Sequence, residues 1–126
     1  AQKLHVFTYL SELKIRVNSA EVLLASKSYK DSIGRSYYAM FTAVRALLAK
    51  DGVDYSKHAG VISYFQREYI KTQKFEKKYS KYLSQAFQIR NNTDYADFFV
   101  VSFEDAREQA DRAKEFLTAI EEFLKA

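Results

Sequence analysis

Apolar residues recur every three or four positions along most of the chain, the spacing that places them on one face of an α-helix. The first stripe predicts a helix from about residue 3 to residue 27 and consists of Val6, Leu10, Leu13, Val17, Ala20 and Leu24. The second helix begins between residues 29 and 31 and ends at Asp51, because Gly52 suits the position after a helix end. Its stripe is Ile33, Tyr37, Met40, Phe41, Val44, Leu47 and Leu48. Gly34 lies inside this helix, where glycine costs about 1 kcal/mol relative to alanine, so we expect a neighbouring helix to approach closely there.

Three further segments complete the pattern. Ser56 is the expected N-cap of a third helix that runs through Tyr69 and fades near Thr72. A fourth helix over about residues 75–94 places Tyr79, Leu83, Ala86, Phe87 and Arg90 on one side. The last helix follows Ser102 in a pattern that resembles a capping box, and its stripe is Phe103, Ala106, Ala110, Ala113, Leu117, Ile120 and Leu124. The sequence therefore predicts one all-α domain over residues 1–126, an up-down bundle of four long helices and one short helix.

The composition agrees with this fold class and narrows the chemistry. The 126 residues include three glycines, no proline and no cysteine, which disfavours a turn-rich β fold and excludes disulfides, thiolate metal sites and cysteine nucleophiles. There are two histidines, no Glu-x-x-His pair and no glycine-rich phosphate loop, so we expect no metal and no cofactor. No apolar run is long enough for a membrane span, and the first residues lack a signal-peptide pattern. We expect a cytoplasmic protein with no membrane contact.

Charge is distributed unevenly along the chain. Residues 57–95 carry eight Lys or Arg and three Asp or Glu, whereas residues 96–126 carry four and eight. In the basic part, Lys77, Lys78 and Lys81 alternate with tyrosines, a pattern that can neutralise phosphates and stack bases. A solvated helix face is the alternative explanation. The acidic last helix and the basic middle segment could also meet across a dimer, because their charges are opposite.

Arg90 is the polar residue whose position needs an explanation, since it lies in line with the apolar stripe of the fourth helix. A buried arginine requires a partner. Asp94 lies four residues further on and shares its face, so one interpretation is an ion pair with Asp94, joined by Tyr95. The other is a cleft residue whose planar guanidinium binds phosphate, with Asn91 and Asn92 as orienting groups.

Aromatic residues are more abundant than in an ordinary domain, with ten Tyr and ten Phe but no Trp. Most of them are expected to fill the core, and the residues assigned to it on this basis are Tyr37, Phe41, Phe65, Phe87 and Phe103. Tyr95 differs from these because it follows Arg90 in a polar segment.

Three blocks of sequence carry a resemblance to a known family. They are Arg-Ser-Tyr-Tyr-Ala-Met-Phe at residues 35–41, Ser-Lys-His-Ala-Gly-Val-Ile at residues 56–62, and Arg-Asn-Asn-Thr-Asp-Tyr at residues 90–95. In this order and spacing they resemble the HEPN domains of bacteria and archaea, and most closely their short stand-alone branch with an Arg-Asn-x-x-Asp-Tyr motif. The resemblance implies a helical bundle of about five helices that forms a homodimer, with the motifs of both subunits facing a shared cleft. It also implies metal-independent ribonuclease activity and a minimal nucleotidyltransferase partner in a toxin–antitoxin or defence pair.

The family motif is an arginine, often followed by a polar residue, and then a histidine after four to six residues. Arg90 and Asn91 match its first half, but Tyr95 stands at the nearest histidine position and no histidine follows. Tyrosine, with an ordinary pKa near 10, is a poor base at neutral pH. The candidate catalytic residues are therefore Arg90, Tyr95 and His58, which could replace the missing histidine. We expect nucleotide or RNA binding through Arg90, Asn91, Asp94 and Tyr95, with weak or no ribonuclease activity.

Two other functions remain open from the sequence. The chain could be a non-enzymatic dimeric interaction module, in which the residues around Arg90 form a structural network. Tyr95 could also be the target of nucleotide transfer by the partner, as the wider family implies.

Overall fold

In the computed structural model, the backbone is described for residues 2–95 and 101–125, and side chains for residues 5–92 and 101–125. The helices are α1 (Gln2–Ala25), α2 (Tyr29–Lys50), α3 (His58–Phe65), α4 (Lys77–Tyr95) and α5 (Phe103–Lys125). A π-helical turn, Gln66–Ile70, continues α3. The all-α bundle of four long helices and one short helix is thereby confirmed. None of the described helices is both long enough and apolar enough to cross a membrane.

The central element is α2, which packs against α1, α3, α4 and α5. Three of its alanines, Ala39, Ala43 and Ala46, are fully buried, and these small side chains let neighbouring helices come close. Ser32 is also fully buried, and its Oγ donates a hydrogen bond of 2.7 Å to the carbonyl of Ala20 in α1. The bond fixes the pairing of the first two helices without leaving the buried hydroxyl unsatisfied.

Two predicted helix boundaries are confirmed and one is wrong. Gly52 has a left-handed φ of 72° directly after α2, and the Oγ of Ser102 accepts a 3.1 Å hydrogen bond from the backbone N–H of Asp105. Ser56 is not the N-cap of α3. That position belongs to Lys57, whose backbone is extended with φ −112° and ψ 145° and whose side chain makes no capping bond.

The predicted aromatic core is confirmed in part. Tyr37, Phe41 and Phe65 are buried, but Phe87 is 41% exposed and Phe103 is 46% exposed. The inward positions of α4 near Phe87 are taken by Leu83 and Ala86, and Phe87 is turned by about 100° around the helix from Ala86. Phe103 is the first residue of α5, and its ring lies against Tyr29 at 5.9 Å near the surface.

Opposite charges of the middle segment and the last helix meet within one chain. Lys78 Nζ lies 3.1 Å from a carboxylate oxygen of Glu115, and the Tyr82 hydroxyl donates to the same carboxylate at 3.3 Å. The guanidinium of Arg112 lies 4.5 Å from the centre of the Tyr82 ring. These contacts join α4 to α5, so part of the charge complementarity predicted for a dimer is already used inside the protomer.

A second polar network closes the bundle beyond the end of α2. Oδ2 of Asp51 accepts hydrogen bonds from the hydroxyls of Tyr64 at 2.9 Å and Tyr69 at 2.6 Å. Burial, followed by the nearby Asp51 carboxylate, raises the pKa of Tyr64 to about 12 and raises that of Tyr69 as well. Both phenols therefore keep their protons and donate them. We call Asp51, Tyr64 and Tyr69 the Asp51 cluster.

Candidate nucleic-acid-binding site

Arg90 is held by two adjacent tyrosines of α2. Its Nη2 donates a 2.9 Å hydrogen bond to the hydroxyl of Tyr38, and its Cζ lies 4.8 Å from the ring centre of Tyr38 and 5.4 Å from that of Tyr37. A cation over two aromatic faces is stabilised by their quadrupoles. The side chains of Asp94 and Tyr95 lie outside the described residues, so the ion pair between Arg90 and Asp94 stays a prediction.

A cleft of about 410 Å³ lies beside this arginine, between the end of α1, the beginning of α2 and the end of α4. Its lining residues are Leu23, Lys30, Asp31, Gly34, Arg35, Tyr38 and Arg90. Lys30 and Arg35 are exposed, and neither makes an ion pair or side-chain hydrogen bond within the described part of the chain. Three cations and one carboxylate therefore face the cleft, which we call the Arg90 cleft.

Gly34 opens the cleft to the helix backbone. A Cβ atom built on Gly34 would meet no atom within 4 Å, so the close helix approach predicted at this position is wrong. The residue lines the cleft instead of a helix contact. Without a side chain at this position, a ligand in the cleft can come close to the backbone of α2.

Arg16 brings a second guanidinium to the same tyrosine. Its Cζ lies 5.4 Å from the ring centre of Tyr38, and its buried Nε has no hydrogen-bond partner among the described residues. Two cations against one ring concentrate positive potential at the cleft, which favours an anionic ligand. The sequence does not single out Arg16. It directly precedes Val17, a residue of the apolar stripe of α1, and its position is that of an ordinary surface arginine.

His58 joins Arg90 through Tyr37. The Tyr37 hydroxyl lies 3.1 Å from Nδ1 of His58, and the imidazole lies 4.2 Å from the ring of Phe41. Burial raises the pKa of Tyr37 to about 12, so its phenol keeps its proton near pH 7. Desolvation, and then the charges of Arg90 and Arg45, lower the pKa of His58. The histidine is therefore neutral near pH 7, and it contacts the same tyrosine that supports Arg90.

Other predicted site residues lie at different distances from the cleft. Asn91 is exposed directly after Arg90. Lys77 is thirteen residues before Arg90, about 20 Å along α4, and Lys81 lies about half a turn around the helix from it. Lys78 is paired with Glu115. The structure brings Arg90, His58 and Asn91 into one region and leaves the three lysines outside it. No group of three or more His, Asp or Glu side chains among the described residues could hold a metal ion.

Comparison of the chain with known proteins identifies its family. Residues 11–123 match the HEPN domain family. A UPF0332 protein of Thermotoga maritima is 34% identical over 109 residues, which cover 86% of this chain and 83% of that protein. A protein of Methanocaldococcus jannaschii named "Putative toxin MJ0142" is 30% identical over 108 residues, 86% of this chain and 74% of its own. The family match contains Arg90, Tyr37, Tyr38 and His58, and the chain belongs to the HEPN domain family.

Proposed function

We propose that this chain is a toxin-like HEPN domain that binds RNA or nucleotides in the Arg90 cleft and is weak or inactive as a ribonuclease. It acts as a homodimer, in a toxin–antitoxin or defence pair with a minimal nucleotidyltransferase. Family membership and the toxin name of the Methanocaldococcus jannaschii relative support the toxin-like role. The observation that carries the binding proposal is the arginine held over two tyrosine rings beside a cationic cleft.

The geometry around Arg90 fits phosphate recognition. A guanidinium presents five N–H donors in a planar fork, and the contacts with Tyr37 and Tyr38 orient that plane at the cleft. Lys30 and Arg35 supply further positive charge at the same cleft. Asn91, Asp94 and Tyr95 extend the site along α4, and Lys77, Lys78 and Lys81 form a separate basic surface for more distant phosphates.

Weak cleavage follows from the residues near Arg90. Attack by a ribose 2′-hydroxyl on phosphorus requires a base that accepts its proton near neutral pH. Tyr95 occupies the position of the family histidine, and an ordinary phenol remains protonated there. His58 is the nearest described imidazole, but it meets the buried Tyr37 hydroxyl rather than Arg90 itself.

Fluorescence anisotropy with a labelled single-stranded RNA tests the binding proposal. Replacing Arg90 by alanine should weaken affinity about tenfold or more, the usual cost of losing a charged hydrogen-bond donor, and should flatten the salt dependence. Arg67→Ala is the matched control, because Arg67 is exposed and its neighbour Gln66 bonds Ser80, near the other end of α4. An RNA affinity that changes neither with salt concentration nor in Arg90→Ala would contradict the proposal. Gel electrophoresis of the same RNA after incubation with the protein measures cleavage.

One surface supports the homodimer, which the proposed function shares with the alternative, a non-enzymatic interaction module. Phe7, Ile15 and Val22 are 68%, 65% and 58% exposed, and their spacing places them within an arc of about 80° on α1. If two copies paired antiparallel along this stripe, Phe7 would face Val22 of the other copy and the two Ile15 side chains would meet near the axis. We propose this face as the homodimer contact.

Light scattering tests the dimer contact. Ile15→Lys should convert a dimer to a monomer, since a charge at the centre of an apolar interface is costly. Thr118→Lys, on an exposed position of α5, is the control that adds the same charge elsewhere. A dimer that survives Ile15→Lys would rule out this face.

A further inference from the structure

Phe87 lies beside Arg90 and is exposed although it was expected in the core. It precedes Arg90 by three residues on α4, so the two side chains are neighbours on the helix surface. Its ring lies 5.9 Å from that of Tyr37. Tyr37 is fully buried and contacts Arg90 and His58 as well. An exposed aromatic ring, a cation and an imidazole are thus grouped around one buried tyrosine.

The surroundings of Phe87 differ from those of a protein interface. Its exposed neighbours on α4 are polar, Ser84, Gln88 and Asn91, and the guanidinium of Arg90 contacts the same tyrosine ring. The core of an interface is instead a contiguous apolar patch depleted of charge, as on the outer face of α1. A lone aromatic ring beside a phosphate-binding cation is the arrangement on which nucleic-acid bases stack.

We propose that Phe87 and His58 form a base-binding subsite next to Arg90. The inference rests on the proposed function and adds to it the residues that contact a base. One base stacks on the exposed ring of Phe87 while the adjoining phosphate binds Arg90. Duplex RNA is excluded because its bases stack on one another and present no free face to a side chain.

The orientation of His58 suits a polar contact with the same nucleotide. Its Nδ1 is hydrogen-bonded to the Tyr37 hydroxyl at 3.1 Å, which leaves Nε2 for a ligand. Phe41 holds the ring from one side at 4.2 Å. His58 is exposed, and its Nε2 can form a hydrogen bond with a polar atom of the base or of the ribose.

The absence of tryptophan from the chain permits a direct test. In Phe87→Trp, the introduced indole is the sole tryptophan, and its fluorescence should be quenched when single-stranded RNA binds, because a stacked base contacts the ring. The same RNA annealed to its complement should not quench it. Phe103→Trp, at an aromatic position that is 46% exposed at the start of α5, is the control, and its fluorescence should not change with either ligand.

Phe87→Leu gives the affinity measurement. It should weaken binding of single-stranded RNA about tenfold, within the range found for loss of one stacked base, and should leave the salt dependence unchanged since no charge is removed. Phe103→Leu, at an exposed phenylalanine outside both proposed surfaces, should leave affinity unchanged. A gain in monomer for Phe87→Leu, measured by light scattering, would identify Phe87 as a contact between copies and overturn the subsite.

The outcomes separate this inference from the function on which it rests. If RNA binds, and Arg90→Ala abolishes binding while Phe87→Trp remains unquenched, the subsite is overturned and the proposed function stands. If the duplex quenches the indole as strongly as the single strand does, quenching does not require an unpaired base and the stacking subsite is overturned. If the unmodified protein binds no RNA, both proposals fail.

Discussion

Two tyrosine clusters lie at different points along α2, and they use the same side-chain types in opposite ways. In the Asp51 cluster, one carboxylate accepts two phenol hydroxyls, and Tyr69 is 1% exposed. At the Arg90 cleft, one guanidinium donates to a phenol and lies over two rings. The first cluster satisfies its carboxylate with hydrogen bonds from two phenols of the same chain, whereas the second places its charge at the edge of a cleft.

The difference separates structural polar groups from those suited to a ligand. The hydroxyls of the Asp51 cluster have their acceptor within the chain, so nothing remains for a ligand to satisfy. Beside the Arg90 cleft, Lys30 and Arg35 have no acidic partner in the described part of the chain, and Arg16 keeps a buried Nε without an acceptor. Cations without an acidic partner repel one another and lower the stability of the fold. Such a cost is tolerated where a ligand requires the positive charge.

The largest effect on stability is expected from Asp51→Ala. Two phenols lose their acceptor, one of them buried, and the free energy of unfolding should fall by about 3 kcal/mol. Urea denaturation measures it. RNA affinity, measured where the variant is still folded, should not change. Arg90→Ala is the counterpart and should lose less than about 1 kcal/mol of stability. If Arg90→Ala lowered the free energy of unfolding more than Asp51→Ala does, the assignment of a structural role to the Asp51 cluster and a binding role to Arg90 would be wrong.

Removing one hydroxyl from each cluster sharpens the contrast. Tyr38→Phe keeps the ring beneath Arg90 and deletes the 2.9 Å hydrogen bond, so RNA affinity should fall about fivefold with little change in melting temperature. Tyr64→Phe deletes the 2.9 Å bond to Asp51, and should lower the melting temperature while leaving affinity unchanged. Equal effects of both variants on affinity would remove the distinction between the clusters.

Gly34→Ala should stabilise the protein by about 0.5–1 kcal/mol, the helix-propensity difference between glycine and alanine. The new methyl group meets no atom within 4 Å, so nothing offsets the gain. Gly60→Ala in α3 is the matched comparison, because its Cβ would lie 3.0 Å from the Tyr55 side chain and part of the gain is lost. Thermal melts rank the two variants. If the cleft admits phosphate close to the α2 backbone, Gly34→Ala should also weaken RNA binding.

Hydrophobic periodicity was sufficient for the fold because each helix of this bundle buries a continuous stripe. The ends of α2 and the start of α5 were also readable, since Gly52 and Ser102 act through local backbone chemistry. The π-helical turn after α3 was not predictable from the sequence, because the pattern of apolar residues continues through it.

The candidate site was predictable only in its most distinctive residue. Arg90 stands out because a cation lies in an apolar stripe, but its tyrosine partners come from α2, fifty-two residues away for Tyr38. The exposure of Phe87 was not predictable from the sequence. The spacing of apolar residues shows which face of a helix is buried, but not how far around the helix the buried face extends. The proximity of His58 to Arg90 depends on how α3 and α4 both pack against Tyr37, which a linear pattern does not contain.

The smallest expected effect is a pH dependence that involves His58. Desolvation, Arg90 and Arg45 lower its pKa in the folded protein, so its contribution to stability is fully present above the unfolded pKa of about 6.5 and is lost as pH falls through the folded value. A bound phosphate offsets the two arginine charges and favours the protonated imidazole. RNA affinity should therefore rise a fewfold from pH 7.5 to pH 6 in anisotropy titrations. His58→Gln should abolish that slope, whereas His5→Gln, at the other histidine of the chain, should keep it. An unchanged slope in His58→Gln would show that the proton is taken up elsewhere and that His58 does not face the nucleotide.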